Sequence, residues 1–372
     1  MNAQQFPHLD RNRLRFKPLG DRMNKVRIVR DHVPVDATPA LSEDAKQAAG
    51  QAALDIRRAR ERSASVILAF GAHTIKNGLS PVLIRLIEAG WVTHLATNGA
   101  GIIHDWEFAF QGESSEDVRK YIQEGQFGIW EETGFFLNLA INVGAYEGLG
   151  YGESVGALVS RQGLDIPAPE ELVGVATGNM RSDPQLAASA LDLLAIVESF
   201  GLKPGFLRVP HPSRGYGVQA AAFRLHVPFT GHPMFGHDII YAHPMNQGSA
   251  IGRTAERDFL AFAHSVSGIS NGVYLSVGSA VMSPMIFEKS MSMAQNLAIQ
   301  NGGRIENHAI YVVDLSESRW DWQSNTEPPS TDPAYYLRYC KTFSRMGGRM
   351  KYVQADNRDF LLALSQDLTG SA

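Results

Sequence analysis

The sequence predicts an α/β protein built on a mostly parallel, doubly wound sheet, and three observations predict it. Val66-Ile67-Leu68-Ala69-Phe70 is an unbroken apolar run of strand length, as a parallel strand buried on both faces requires. Ser80 and Pro81 then open a helix with Leu83, Ile84, Leu86 and Ile87 on one face and Gly90 at its end. Val92-Thr93-His94-Leu95-Ala96 is a second strand that runs into Thr97-Asn98-Gly99-Ala100-Gly101. The unit is a βαβ crossover whose strands both end in small-residue turns, at Gly71 to Gly78 and at Thr97 to Gly101. Open α/β sheets bind their ligands at such carboxyl ends.

Around this unit the chain divides into an arm (1–40), a Rossmann-like core (41–316) and a helical extension of the same domain (317–372). The arm is rich in Arg, Asp and Pro, weakly periodic, and suited to lying over the body or a neighbouring subunit. Ser42 caps an alanine-rich helix that reaches Ser63. Ile102 to Phe110 begins a helix after the second glycine turn, so its free amides face any ligand held there. Beyond it, Glu131 and Glu132 open a helix, and the glycines from 148 to 156 mark a turn between helices. Residues 161–185 are loop-like, Leu186 to Phe200 is a helix, and Gly205 to Val209 starts another strand. Val227 to Thr230 ends a strand, Arg257 to His264 is helical, and Val273 to Val277 is a strand leading to Gly278-Ser279-Ala280. Pro284 to Ala298 is a helix and Ala309 to Val313 the final strand. A polar loop and two helices, Ala334 to Phe343 and Asp356 to Leu368, complete the chain.

Composition narrows the function classes. Among 372 residues, 44% are apolar and 19% charged, a balance that builds a large core. A formal net charge of −4 leaves no basic stripe to neutralise phosphates, which argues against a nucleic-acid partner. The single cysteine, Cys340, excludes a disulfide framework or a thiolate zinc site within one chain. No apolar run is long enough to span a membrane and the N-terminus lacks a signal-peptide core, so the expectation is a soluble, cytoplasmic protein.

Two stretches carry the chemistry. Gly99-Ala100-Gly101 is an incomplete dinucleotide signature, since the third glycine of G-x-G-x-x-G falls at His104. Either a nucleotide phosphate or only a tight strand-to-helix turn accounts for it. The second stretch, Gly231 to Pro244, gathers His232, His237, His243 and Asp238. Imidazoles so grouped suit a metal, yet their spacing matches no metal motif, and a substrate site is the other explanation.

Phe70 to Gly78, followed by Thr97-Asn98-Gly99-Ala100-Gly101-Ile102-Ile103-His104-Asp105, resembles the deoxyhypusine synthase family and its bacterial relatives, and the likeness extends from about Val66 to Asp314. The resemblance implies a Rossmann-like fold, NAD as cofactor, and a tetramer with active sites between subunits. Asp238-Ile239-Ile240-Tyr241-Ala242-His243 matches the family's pattern of Asp, apolar and aromatic residues and His, whose Asp contacts a polyamine. His264, before Asn271-Gly272, stands where the family has a substrate-binding histidine. Three departures accompany the match. Gly231-His232 replaces a cofactor-associated aspartate, Ile103 and His104 replace carboxylates, and Lys289 lies nearer the helix start than the family's imine-forming lysine.

Together these features lead to an NAD-binding protein acting on an amine or polyamine-like substrate by hydride abstraction, without lysine-imine transfer. The expected cofactor residues are Gly71, His73, Asn77, Gly78, Thr97, Asn98, Gly99, Ala100, Gly101, Asp105, Gly278 and Ser279. The expected catalytic residues are His237, Asp238, His243 and His264. A non-catalytic nucleotide-binding or assembly protein is the alternative, and a metal-dependent hydrolase using His232, His237 and His243 is the third.

Overall fold

The computed structural model describes residues 6–324 and 326–370. Its central sheet has six strands: β1 Val66–Phe70, β2 His94–Asn98, β3 Phe229–His232, β4 Val273–Val277, β5 Ala309–Asp314 and β6 Arg349–Gln354. All pairings are parallel, in the order β6-β5-β4-β1-β2-β3. Taken from the other edge this is the 3-2-1-4-5-6 order of a doubly wound Rossmann-like sheet, with the switch point between β1 and β4.

The period-two alternation of the strands divides the core into two layers. Leu68, Phe70 and Leu275 point into one layer with the alanine face of α1 (Glu43–Glu61). Ile67, Ala69 and Tyr274 point into the other with Phe262 and Val266 of one helix and Phe287 and Met291 of the next. The helices that follow α1 include α2 (Gly99–Gln111), α3 (Gly248–Ser267), α4 (Met282–Gln300) and α5 (Asn357–Thr369). No helix among the described residues is long and apolar enough to cross a membrane.

Several boundaries differ from the sequence expectation, each for a local reason. The second glycine turn is not a loop, because α2 begins at Gly99 with the Asn98 Oδ1 accepting the Gly101 amide at 3.0 Å. β3 runs on to include Gly231 and His232, which pair with Thr97 and Asn98. Ala309–Asp314 is not the last strand, since β6 pairs beside it; β6 escaped notice because only Met350 and Val353 of its polar sequence are buried. Residues 161–185 hold a strand and the helix Pro169–Asn179, and Gly163–Ile166 pairs with Gly205–Arg208 in an antiparallel ribbon outside the main sheet. Within the arm, Asn24–Arg27 pairs antiparallel with Glu113–Glu116.

Candidate functional site

A cleft of about 200 Å³ opens beside the carboxyl ends of β2 and β3. Its floor is one face of α2, with Ala100, Ile103, His104 and Glu107 at the i, i+3, i+4, i+7 spacing of a helix stripe. His237, Asp238 and Ile239 from the loop after β3 form one wall; Lys76, Val118 and Phe127 add to the others. A larger concavity, about 780 Å³, lies along the free edge of β6 beside the start of α1 and residues 317–323. The smaller cleft adjoins the carboxyl ends of β2 and β3, on the sheet edge where this fold type binds ligands, beside rather than at the switch point between β1 and β4.

Asp238 is placed by its neighbours. It precedes a 3₁₀ turn, Ile239–Ala242, that is pinned where the Asn138 side-chain amide donates to the Ile240 carbonyl at 2.9 Å. The Asp238 side chain caps nothing in that turn. Its carboxylate takes one side-chain hydrogen bond, from the Tyr241 hydroxyl at 3.1 Å, and has no Lys or Arg in ion-pair range among the described residues. It lies against Gly99, where any Cβ would collide with it. Burial raises its pKa against the lowering effect of the Tyr241 hydrogen bond.

At the far side of the floor, Glu107 is saturated. Arg22 from the arm holds it bidentately at 2.8 and 2.6 Å, Ser114 Oγ donates at 2.5 Å and Thr133 Oγ1 at 3.0 Å. His104 Nδ1 meets Ser114 Oγ at 2.7 Å. Burial lowers the His104 pKa to about 4, against the opposing effect of Glu107. Glu116 accepts from the Trp130 indole and the Gly128 amide, and burial raises its pKa.

Of the predicted residues, His237, Asp238 and Ala100 line this cleft, and Gly99 lies against the Asp238 carboxylate. Others serve the fold. The buried Asp105 carboxylate accepts the Val218 and Gln219 amides, capping the helix Val218–Leu225. The side-chain position at Gly101 is taken by Thr97, whose hydroxyl donates to the Phe70 carbonyl. Gly78 lies against the backbone of Asp31 and His32, and Gly278 against Asn357. Ser279 Oγ accepts the Ser283 amide at the start of α4. Gly71 meets the Gly278 carbonyl, so the two turns touch across the switch point; His73 and Asn77 stand exposed nearby.

The histidine cluster separates. His243 is buried among Phe16, Phe135 and Phe200, with Nδ1 accepting the Met245 amide. His232 shares Thr230 Oγ1 with His94, at 2.9 Å from each ring. No group of three or more His, Cys, Asp or Glu is arranged to hold a metal among the described residues, which removes the observation behind the hydrolase reading. His264 is exposed on α3 rather than enclosed by apolar side chains. Lys289 is on the surface, paired with Glu288 at 2.6 Å. The cleft's own lysine, Lys76, was missed in the sequence; its one signal is its place in the short Ala72–Lys76 helix directly after β1.

No protein-family model matches the chain, and no curated protein matches it in sequence. Among solved structures it is similar to unliganded AgrE, at TM-score 0.44 and 17% identity over 88% of this chain and 33% of that one. ArgZ, an arginine dihydrolase from the ornithine–ammonia cycle in cyanobacteria, matches at TM-score 0.42 and 14% identity with the same coverage. A conserved putative LOR/SDH protein from Methanococcus maripaludis S2 matches at 0.43 and 13%, over 93% of this chain and 73% of that one. The chain thus spans about a third of the length of AgrE and ArgZ. None of these three is a deoxyhypusine synthase, and likenesses this distant do not bear on chemistry. The class defined by the sheet is α/β and Rossmann-like.

Proposed function

We propose that the chain is a deoxyhypusine-synthase-like, NAD-dependent enzyme that takes hydride from a carbon beside the nitrogen of an amine or polyamine-like substrate. The observation that carries this reading is Asp238: a carboxylate at the ligand edge of the sheet, free of any cationic partner and capping nothing. Such a group suits an ammonium ion, and the apolar side chains of Ile103, Phe127 and Ile239 suit the carbon chain beside it. His237, exposed on the same wall, is the candidate base.

NAD is the proposed cofactor on the strength of the strand order, which sets the switch point between the glycine-ended strands β1 and β4. Tested against the side chains present, the groups near that switch point that could meet NAD are the exposed His73 and Asn77, since the space beside Gly71 and Gly278 is filled by the Gly278 carbonyl and by Asn357. The cleft itself is below the roughly 300 Å³ at which ligand pockets begin, so it suits the substrate and not a whole dinucleotide. Bound there, NAD would supply the hydride-accepting ring. Exposed Met285, Met293 and Leu297 on α4 support a homo-oligomer, to be read by light scattering.

Transfer through a lysine imine is not part of the proposal, because Lys289 is a surface ion pair. Calorimetry with NAD and 1,4-diaminobutane tests the reading. Both should bind the wild type, and Asp238→Asn should abolish amine binding while NAD affinity is retained. Borohydride trapping with spermidine and NAD should yield no covalent adduct; an adduct on Lys76 or Lys289 would restore imine chemistry.

A further inference from the structure

We infer that His104 is a specificity-determining residue: its Nε2 lone pair accepts an N–H hydrogen from the ligand whose charge Asp238 meets. The inference rests on the amine reading of the cleft and adds to it which nitrogen species the cleft selects.

Hydrogen-bond accounting carries it. Arg22, Thr133 and Ser114 fill the four acceptor positions of the Glu107 carboxylate. Ser114 has one hydroxyl hydrogen and gives it to Glu107. At its 2.7 Å contact with His104 Nδ1, Ser114 Oγ must therefore accept, so the hydrogen is on Nδ1. The neutral ring then has its lone pair on Nε2, to which no described residue supplies a hydrogen bond, and the side chain lines the cleft one helical turn beyond Ala100. The charged groups around the ring favour this state. Glu107 alone draws a proton toward it, whereas burial, Lys76, Arg22 and His73 oppose one, and the ring stays neutral down to about pH 4.

A carboxylate attracts any cation, but a lone pair fixed in direction rewards only one that carries an N–H. The cleft should accept a primary ammonium and refuse a quaternary one of the same charge and length. Nothing in the sequence marks this, since the tautomer is set by Ser114, ten positions beyond His104.

Two measurements test it. In long-range nitrogen–proton spectra of the histidine-labelled wild type, His104 should be the Nδ1–H tautomer; an Nε2–H tautomer would overturn the inference with no variant needed. In calorimetry with NAD present, the wild type should bind 1,4-diaminobutane at least tenfold more tightly than its bis(trimethylammonium) analogue. His104→Leu should erase that preference, and His104→Gln, whose carbonyl can accept, should keep most of it. Undiminished selectivity in His104→Leu sinks the role of His104 and leaves the amine reading standing. If the wild type binds neither compound and Asp238→Asn changes nothing, the amine reading fails and this inference with it.

Discussion

Asp105 and Asp238 are both pushed above the usual carboxylate range by burial, yet they do opposite work. Asp105 receives two backbone amides and the Gln219 side chain, all between 2.8 and 3.0 Å, which fill three of its four acceptor positions. Asp238 receives the Tyr241 phenol and the nearby Met234 backbone, and faces a cleft. The helix beside Asp238 is capped by Asn98 instead, so the aspartate is not needed for that cap. A carboxylate's role follows from how many of its acceptor positions the fold has already filled, more than from its burial.

Removing the more fully bonded member should do the most damage. Asp105→Ala leaves the buried Val218 and Gln219 amides without a partner, removes one of two acceptors from the Gln219 side chain, and should cost on the order of 3 kcal/mol in urea unfolding. A loss under about 1 kcal/mol would erase the contrast. Gly99→Ala comes next. Its methyl group displaces the Asp238 carboxylate, so roughly 1–3 kcal/mol of stability and most amine affinity should go together, with NAD affinity less affected.

The pH response sharpens the comparison. Burial raises the Asp105 pKa to about 6, above its unfolded value near 4, so the native state holds the extra proton between those pH values. Its contribution is full below about pH 4 and is lost as pH rises through about 6. Against an Asp105→Asn variant, the wild type should lose stability over that window, on the order of 1–2 kcal/mol by urea titration. Smallest is the effect of Asp238→Asn on folding, expected within about 0.5 kcal/mol because the side chain caps nothing in its turn and an amide oxygen can still accept from Tyr241. Unfolding by that substitution would move Asp238 into the same class as Asp105.

Much of the sheet was legible because β1, β4 and β5 are apolar runs buried on both faces, and such runs leave little choice of element. β6 was not, since an edge strand with two buried side chains carries too few apolar positions to stand out. At the site, clustering brought His237 and Asp238 to notice, and the family pattern over Asp238 to His243 singled out Asp238. The glycines were legible as necessary, but their reason was not: the sequence points to phosphate contact, whereas side chains or backbone of the protein occupy the space beside Gly71, Gly99, Gly101 and Gly278. Lys76 and the Glu107–Ser114–His104 chain depend on contacts that no local pattern encodes.

The strand order also has a consequence for synthesis. β1 is the middle of the finished sheet, and its second neighbour, β4, is separated from it by about two hundred residues. When β1 and β2 have left the ribosome, one edge of β1 is still an open row of amides and carbonyls flanked by apolar side chains. Only after β4 emerges can that edge close, and only then do β5 and β6 have a surface to add to. The nascent chain therefore passes the synthesis of well over a hundred residues as a half-sheet with its stickiest strand exposed, the stage at which aggregation and chaperone capture compete with folding.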